Sequence, residues 1–70
     1  MPNSAYKVID IIGSSDKSWE DATRNAISTA SESIKHPRVA EVKEHDVTID
    51  ESGKITAFRV KISLSFKYGI

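Results

Sequence analysis

The sequence predicts an α+β fold of order β-α-β-β, with a three-stranded antiparallel sheet wrapped around one helix and residues 1–70 forming a single domain. Three observations predict it. From Phe58 to Tyr68 the even positions Phe58, Val60, Ile62, Leu64, Phe66 and Tyr68 are apolar, whereas Arg59, Lys61, Ser63, Ser65 and Lys67 are polar, the period-two pattern of a long strand with one apolar face. A single helical periodicity occupies the middle of the chain. A β-branched run near the N-terminus stops abruptly at a glycine.

That first run, Tyr6-Lys7-Val8-Ile9-Asp10-Ile11-Ile12, reads as a strand ending in a turn at Gly13-Ser14-Ser15. Its apolar residues fall on both faces, so the strand is expected to be central in the sheet or covered by a neighbouring chain. The helix follows, with Ser18 as its N-cap and Asp21 three residues on in the reciprocal capping pattern. Glu20 and Asp21 suit the positive end of the helix dipole. The spacing predicts a helix from Trp19 to about Lys35. Trp19, Ala22, Ala26, Ile27, Ala30 and Ile34 form its apolar stripe, and Arg24, Asn25, Ser28, Ser31, Glu32 and Lys35 its polar side. A stripe made mostly of alanine lets the helix lie close to a sheet. Pro37 disfavours helical geometry at His36 and turns the chain out. A second strand over Val39 to Ile49, a hairpin turn at Asp50-Glu51-Ser52-Gly53-Lys54 and a third strand from Ile55 complete the unit. Gly53 supplies the positive φ that such a turn needs.

Size and composition narrow the function. A chain of 70 residues buries only about 60% of the surface that its unfolded form exposes, and with no cysteine the disulfide route to extra stability is closed. Oligomerisation is the remaining route, in keeping with a long strand covered by one thin helix. Ten lysines and arginines balance ten aspartates and glutamates, which leaves no global field for nucleic acid or an anionic membrane. The N-terminal segment lacks the basic start and apolar core of a secretory signal, and no apolar run reaches the length of a bilayer span. A cytoplasmic location is expected.

Catalytic motifs are not evident. No Gly-x-Ser-x-Gly elbow occurs, and neither His36 nor His45 stands in a nucleophile-base arrangement or has a second histidine at metal-ligating spacing. Asp50-Glu51-Ser52-Gly53 lacks the twelve-residue ligand spacing of an EF-hand, and Gly13-Ser14-Ser15 lacks the remainder of a phosphate loop. Both read as turns. Trp19, in the first helical turn on the apolar stripe, reads as a packing residue. Arg59, Lys61 and Lys67 make a basic stripe on the polar face of the third strand that either binds an anion or pairs with Asp46 and Glu44 of the second, with charge pairing or subunit contact the favoured reading. The expectation is a binding protein and not an enzyme.

Tyr6-Lys7-Val8-Ile9-Asp10-Ile11-Ile12-Gly13-Ser14-Ser15, the helix entry Ser18-Trp19-Glu20-Asp21-Ala22, Ala26-Ile27 with Ala30, the exit before Glu41-Val42, and Phe58-Arg59-Val60 leading to Ser65-Phe66-Lys67 cover nearly the whole chain. Together they resemble the dodecin family, whose β-α-β-β protomers assemble as hollow homo-dodecamers that bind or store small ligands. In flavin-binding members, which take FMN, riboflavin or FAD, a tryptophan at the start of the second strand stacks on the ring and a glutamine in the third strand bonds its edge. By this resemblance those positions are Val39 and Arg59, a further basic position is Asp46, and Lys67 keeps a positive charge where arginine is common. The resemblance therefore implies a ligand pocket at Val39, Asp46, Arg59 and Lys67 without the stacking platform.

The pair Val39-Ala40, Lys54-Ile55-Thr56 after Gly53, and Trp19 within Ser18-Trp19-Glu20 look like the calcium-binding branch of the same family. The resemblance assigns that branch's metal ligands to no particular residues of this chain. Asp10, Glu41, Glu44, Asp46, Asp50 and Glu51 are the acids on or near strands that could supply oxygens. Flavin, calcium and an empty structural shell stand as the alternatives that the resemblance implies.

Overall fold

The computed structural model describes residues 5–34 and 36–67. Four elements follow in the expected order: strand β1 (Tyr6–Ser15), helix α1 (Trp19–Ala30), strand β2 (Pro37–Ile49) and strand β3 (Ile55–Lys67). The sheet order is β1-β3-β2, and both pairings are antiparallel. The strand with the cleanest alternation is the central one. Its even residues Val60, Ile62 and Leu64 are fully buried on the helix side of the sheet, where Val60 and Ile62 pack with Ala22 and Ala26 of α1.

The helix starts as its sequence requires. The Asp21 backbone N–H donates to Ser18 Oγ at 2.9 Å, and the Ala22 N–H reaches the Ser18 carbonyl at 3.0 Å. The Ser15 hydroxyl, buried at the end of β1, donates to Asp21 Oδ2 at 2.7 Å and accepts the Lys17 N–H at 2.9 Å. One carboxylate and two hydroxyls thus join the end of β1 to the first turn of α1.

Two expectations are corrected. The regular helix ends at Ala30 rather than near Lys35, and Ser31, Glu32 and Ile34 lie beyond it. The Glu32 and Ser33 N–H groups bond back three residues, to Thr29 and Ala30 at 3.2 and 3.1 Å, so the last turn tightens instead of continuing. Two serines with low helix propensity and Pro37 downstream favour that exit; Lys35 itself lies outside the described residues. Second, β2 begins at Pro37 rather than Val39, because proline is tolerated at the first position of an edge strand. His36 before it takes a left-handed φ of 59°. Of the two placements left open for β1, the structure shows an edge strand. Val8 and Ile12 project from the sheet face opposite the helix, and both are exposed. The third strand is described as far as Lys67; Tyr68 lies outside the described residues.

The hairpin turn forms as expected. The Asp50 N–H bonds the Lys54 carbonyl at 2.9 Å, Asp50 Oδ1 accepts from the Ser52 and Lys54 N–H groups, and Gly53 has φ 85°.

Gly13 matters for a different reason from Gly53. A Cβ built there would lie 2.2 Å from the Ala22 carbonyl oxygen and 2.6 Å from Ala26 Cβ. The helix rests directly on the strand backbone, and both obstructing groups belong to a fixed helix. Gly13→Ala is expected to destabilise the fold by about 1–3 kcal/mol, the usual cost of overpacking, read as a lowered denaturation midpoint with an unchanged slope.

Candidate ligand-binding face

Register decides what the second face of the sheet carries. With the even residues of β3 under the helix, Arg59, Lys61, Ser63, Ser65 and Lys67 point away from it, and each has neighbours on both flanking strands. The cross-strand rows read Ser14–Arg59–Asp46, Ile12–Lys61–Glu44, Asp10–Ser63–Glu41 and Val8–Ser65–Val39, with Tyr6 opposite Lys67 at the far end. Charged and polar groups occupy the middle of this face, while one end is flanked by exposed aliphatic side chains.

The row at Arg59 is the best defined. Its guanidinium grips Asp46 with two bonds, Nε to Oδ1 at 2.7 Å and Nη2 to Oδ2 at 2.9 Å, the fork-to-carboxylate geometry that Arg favours. Those hydrogen bonds hold the Asp46 carboxyl below its ordinary value of 3.8, against partial desolvation and with help from the Arg59 charge. The same pairing raises Arg59. The charge pairing expected from the basic stripe is therefore realised at Arg59, and Lys61 faces Glu44 in register.

Asp46 also touches the opposite side of the sheet through its backbone. Trp19 Nε1 donates to the Asp46 carbonyl at 3.0 Å, and the indole packs edge-on against His45 and Phe58 at centroid distances of 5.6 and 5.1 Å. Trp19 is a packing residue, as its place on the helical stripe implied. It pins the start of α1 to β2 at the residue whose side chain holds Arg59. His45 belongs to this aromatic cluster.

The four residues that the resemblance pointed to all lie on the open face, but within one chain they form two groups. Asp46 and Arg59 sit together, whereas Val39 is seven residues along β2, roughly 20 Å away at strand spacing, near the end that carries Lys67. At the stacking position that the resemblance implies stands Val39, with Val8 as the neighbouring side chain across Ser65. Arg59 is already engaged by Asp46. The residues present do not fit a flavin held by ring stacking.

Calcium takes six to eight oxygens. Among the described residues no three Asp, Glu, His or Cys side chains converge on one point. Asp10 and Glu41 flank Ser63 in a single row, with the Ser63 hydroxyl donating to Asp10 Oδ1 at 2.6 Å. That row was hidden in the sequence, because only register brings residues 10, 41 and 63 side by side.

Comparison with known proteins agrees with this architecture. A family model for dodecins matches residues 5–69. Calcium dodecin of Mycobacterium tuberculosis is 52% identical over 64 residues, 91% of this chain and 89% of that one. The crystal structure of that calcium-chelating protein, which has its own calcium-binding site, superposes with a TM-score of 0.83 at 48% identity, covering 94% of this chain and 93% of the other. Dodecin from Streptomyces coelicolor superposes with a TM-score of 0.91 at 27% identity, covering 100% of this chain and 99% of the other.

Because the Asp46 carboxyl titrates below its unfolded value, the stability that it contributes is present above about pH 4 and is lost as pH falls through its folded pKa. Asp46→Asn is therefore expected to be less stable than the parent at pH 7 and to converge with it below the ordinary carboxylate range. Parallel denaturation curves at pH 7 and pH 2.5 check this.

Proposed function

Because this chain belongs to the dodecin family, we propose that it forms a non-catalytic homo-dodecameric shell in the cytoplasm and binds small ligands there, with calcium rather than flavin as the occupant. The observation that carries the choice of ligand is the 52% identity with a calcium dodecin in a chain that has Val39 where flavin binders place their stacking ring. The ligand face, on this reading, is built from Val39, Asp46, Arg59 and Lys67, with different copies supplying its two ends. Carboxylates from several copies likewise supply the calcium oxygens, with the Asp10–Ser63–Glu41 row as the nearest set on this chain.

The shape of the protomer supports assembly. Its accessible surface is 5353 Å², against about 4300 Å² expected for a folded monomer of this length. Its radius of gyration is 14.6 Å, against roughly 11 Å for a compact domain of the same size. The excess of about 1000 Å² exceeds the roughly 800 Å² that each partner gives to a standard interface. Val8, Ile12, Val39, Ile49 and Ile55 are all exposed in the single chain.

Native mass spectrometry of the purified protein is expected to show a twelve-chain mass without flavin. A rise in Tm with calcium that a chelator reverses should accompany it. A single-chain mass would overturn the assembly, and retained flavin or a calcium-indifferent Tm would overturn the choice of ligand. If the face is correctly placed, Val39→Trp restores a stacking surface and tightens riboflavin binding by roughly tenfold, about 1.4 kcal/mol. Unchanged affinity in a flavin titration would remove Val39 from the pocket.

A further inference from the structure

The open face carries two cations side by side. Arg59 and Lys61 are two residues apart on β3 and point to the same side, roughly 7 Å from one another along the strand, with the exposed Ser14 in the Arg59 row. A guanidinium fork, an ammonium and a hydroxyl at that spacing are the donors that recognise a phosphate-class oxyanion, the fork by two parallel bonds and the lysine as a point charge. Among the described residues Lys61 makes no ion pair, although Glu44 stands opposite it.

One side chain fills this arrangement. The Asp46 carboxylate takes Arg59 Nε and Nη2 at 2.7 and 2.9 Å, two N–H positions that a phosphate would use. Asp46 is held there from both sides of the sheet, since its carbonyl accepts the Trp19 Nε1 proton at 3.0 Å on the helix side while its carboxylate grips Arg59 on the other. Fixed on the adjacent strand, the carboxylate competes at an effective concentration of about a millimolar or more, so a free oxyanion of similar intrinsic affinity does not displace it below that concentration. The pair also lowers the carboxyl's pKa, which keeps the charge in place at neutral pH. With Asp46 and Glu44 opposite them the two cations are balanced, and removing Asp46 alone leaves the group with a net positive charge.

We infer that Asp46 is the ligand-selecting residue of the open face: its carboxylate occupies an oxyanion site made by Arg59, Lys61 and Ser14, and so shuts out phosphate-bearing molecules. This deepens the reading that the open face takes the ligand and rests on it. The selection works by exclusion. A phosphate must break two charge-assisted bonds and then stand beside the displaced carboxylate, whereas a cation or a neutral molecule meets no such barrier.

Asp46 and Arg59 are both partly exposed, so replacing either leaves the core intact, and Asp46→Ala keeps the backbone carbonyl that Trp19 bonds. Isothermal titration calorimetry with inorganic pyrophosphate in calcium-free, low-salt buffer tests the role on the full-length wild type, Asp46→Ala and the Asp46→Ala/Arg59→Ala double variant. Circular dichroism and the emission of Trp19, the single tryptophan, confirm folding. Wild type is expected to give no measurable binding up to about 1 mM. Asp46→Ala is expected to bind at least about tenfold more tightly, and the double variant to return to wild-type behaviour. Wild type that binds as tightly as Asp46→Ala would overturn the exclusion, as would an Asp46→Ala variant that gains nothing. A gain that survives in the double variant would overturn the site, because the anion would then be held without Arg59. Calcium is absent throughout, so each of these failures overturns the role of Asp46 and leaves the calcium reading to its own Tm test.

Discussion

The close approach of α1 to β1 is the constraint on which the protomer depends. Gly13 has no side chain, and Ala22 and Ala26 present almost none, so the helix lies with a carbonyl oxygen where the Cβ of any other residue would be. That contact brings the helix near enough for Val60, Ile62 and Leu64 to be fully buried, although the stripe above them is made of small residues. The Ser15–Asp21–Ser18 bonds set where the helix begins, and the Trp19 bond to Asp46 fixes its first turn against β2. Both tie the N-terminal half of α1 to the sheet within a few residues of the glycine.

A core this thin has consequences outside it. One short helix covers one stretch of one sheet face, which leaves the other face, both sheet edges and the end of the hairpin to the surroundings. A chain without cysteine cannot offset the deficit with disulfides. The exposed aliphatic residues lie at the sheet edges, the open face and the hairpin end, while charges fill the middle of the open face and pair across strands. This distribution suits a subunit better than an isolated domain.

Charge pairing also shapes what the open face can hold. Arg59 would be a ready anion binder if it stood alone, but Asp46 occupies both arms of its fork. The same pairing engages both carboxylate oxygens of Asp46, which leaves other acids better placed to offer oxygens to a cation. Asp10 and Glu41, on either side of Ser63, are nearer to that role than the tip acids Asp50 and Glu51, where Asp50 already accepts two backbone N–H groups of its own turn.

Much of this was legible from the sequence, since local periodicity and turn chemistry act over a few residues. The alternation in β3, the Ser18 cap, the glycine turn at Gly53 and the alanine stripe each dictate their own element without reference to the rest of the chain. The family pattern, spread over nearly the whole length, carried the fold order as well. Only tertiary structure could decide that β1 lies at an edge, because apolar side chains on both faces suit a covered edge as well as a centre. It also ended the helix at Ala30, where weak local preferences had left the boundary open. Register, finally, set Asp46 against Arg59 and parted both from Val39, because a face of the sheet is assembled from residues distant in sequence, and no single strand encodes its neighbours.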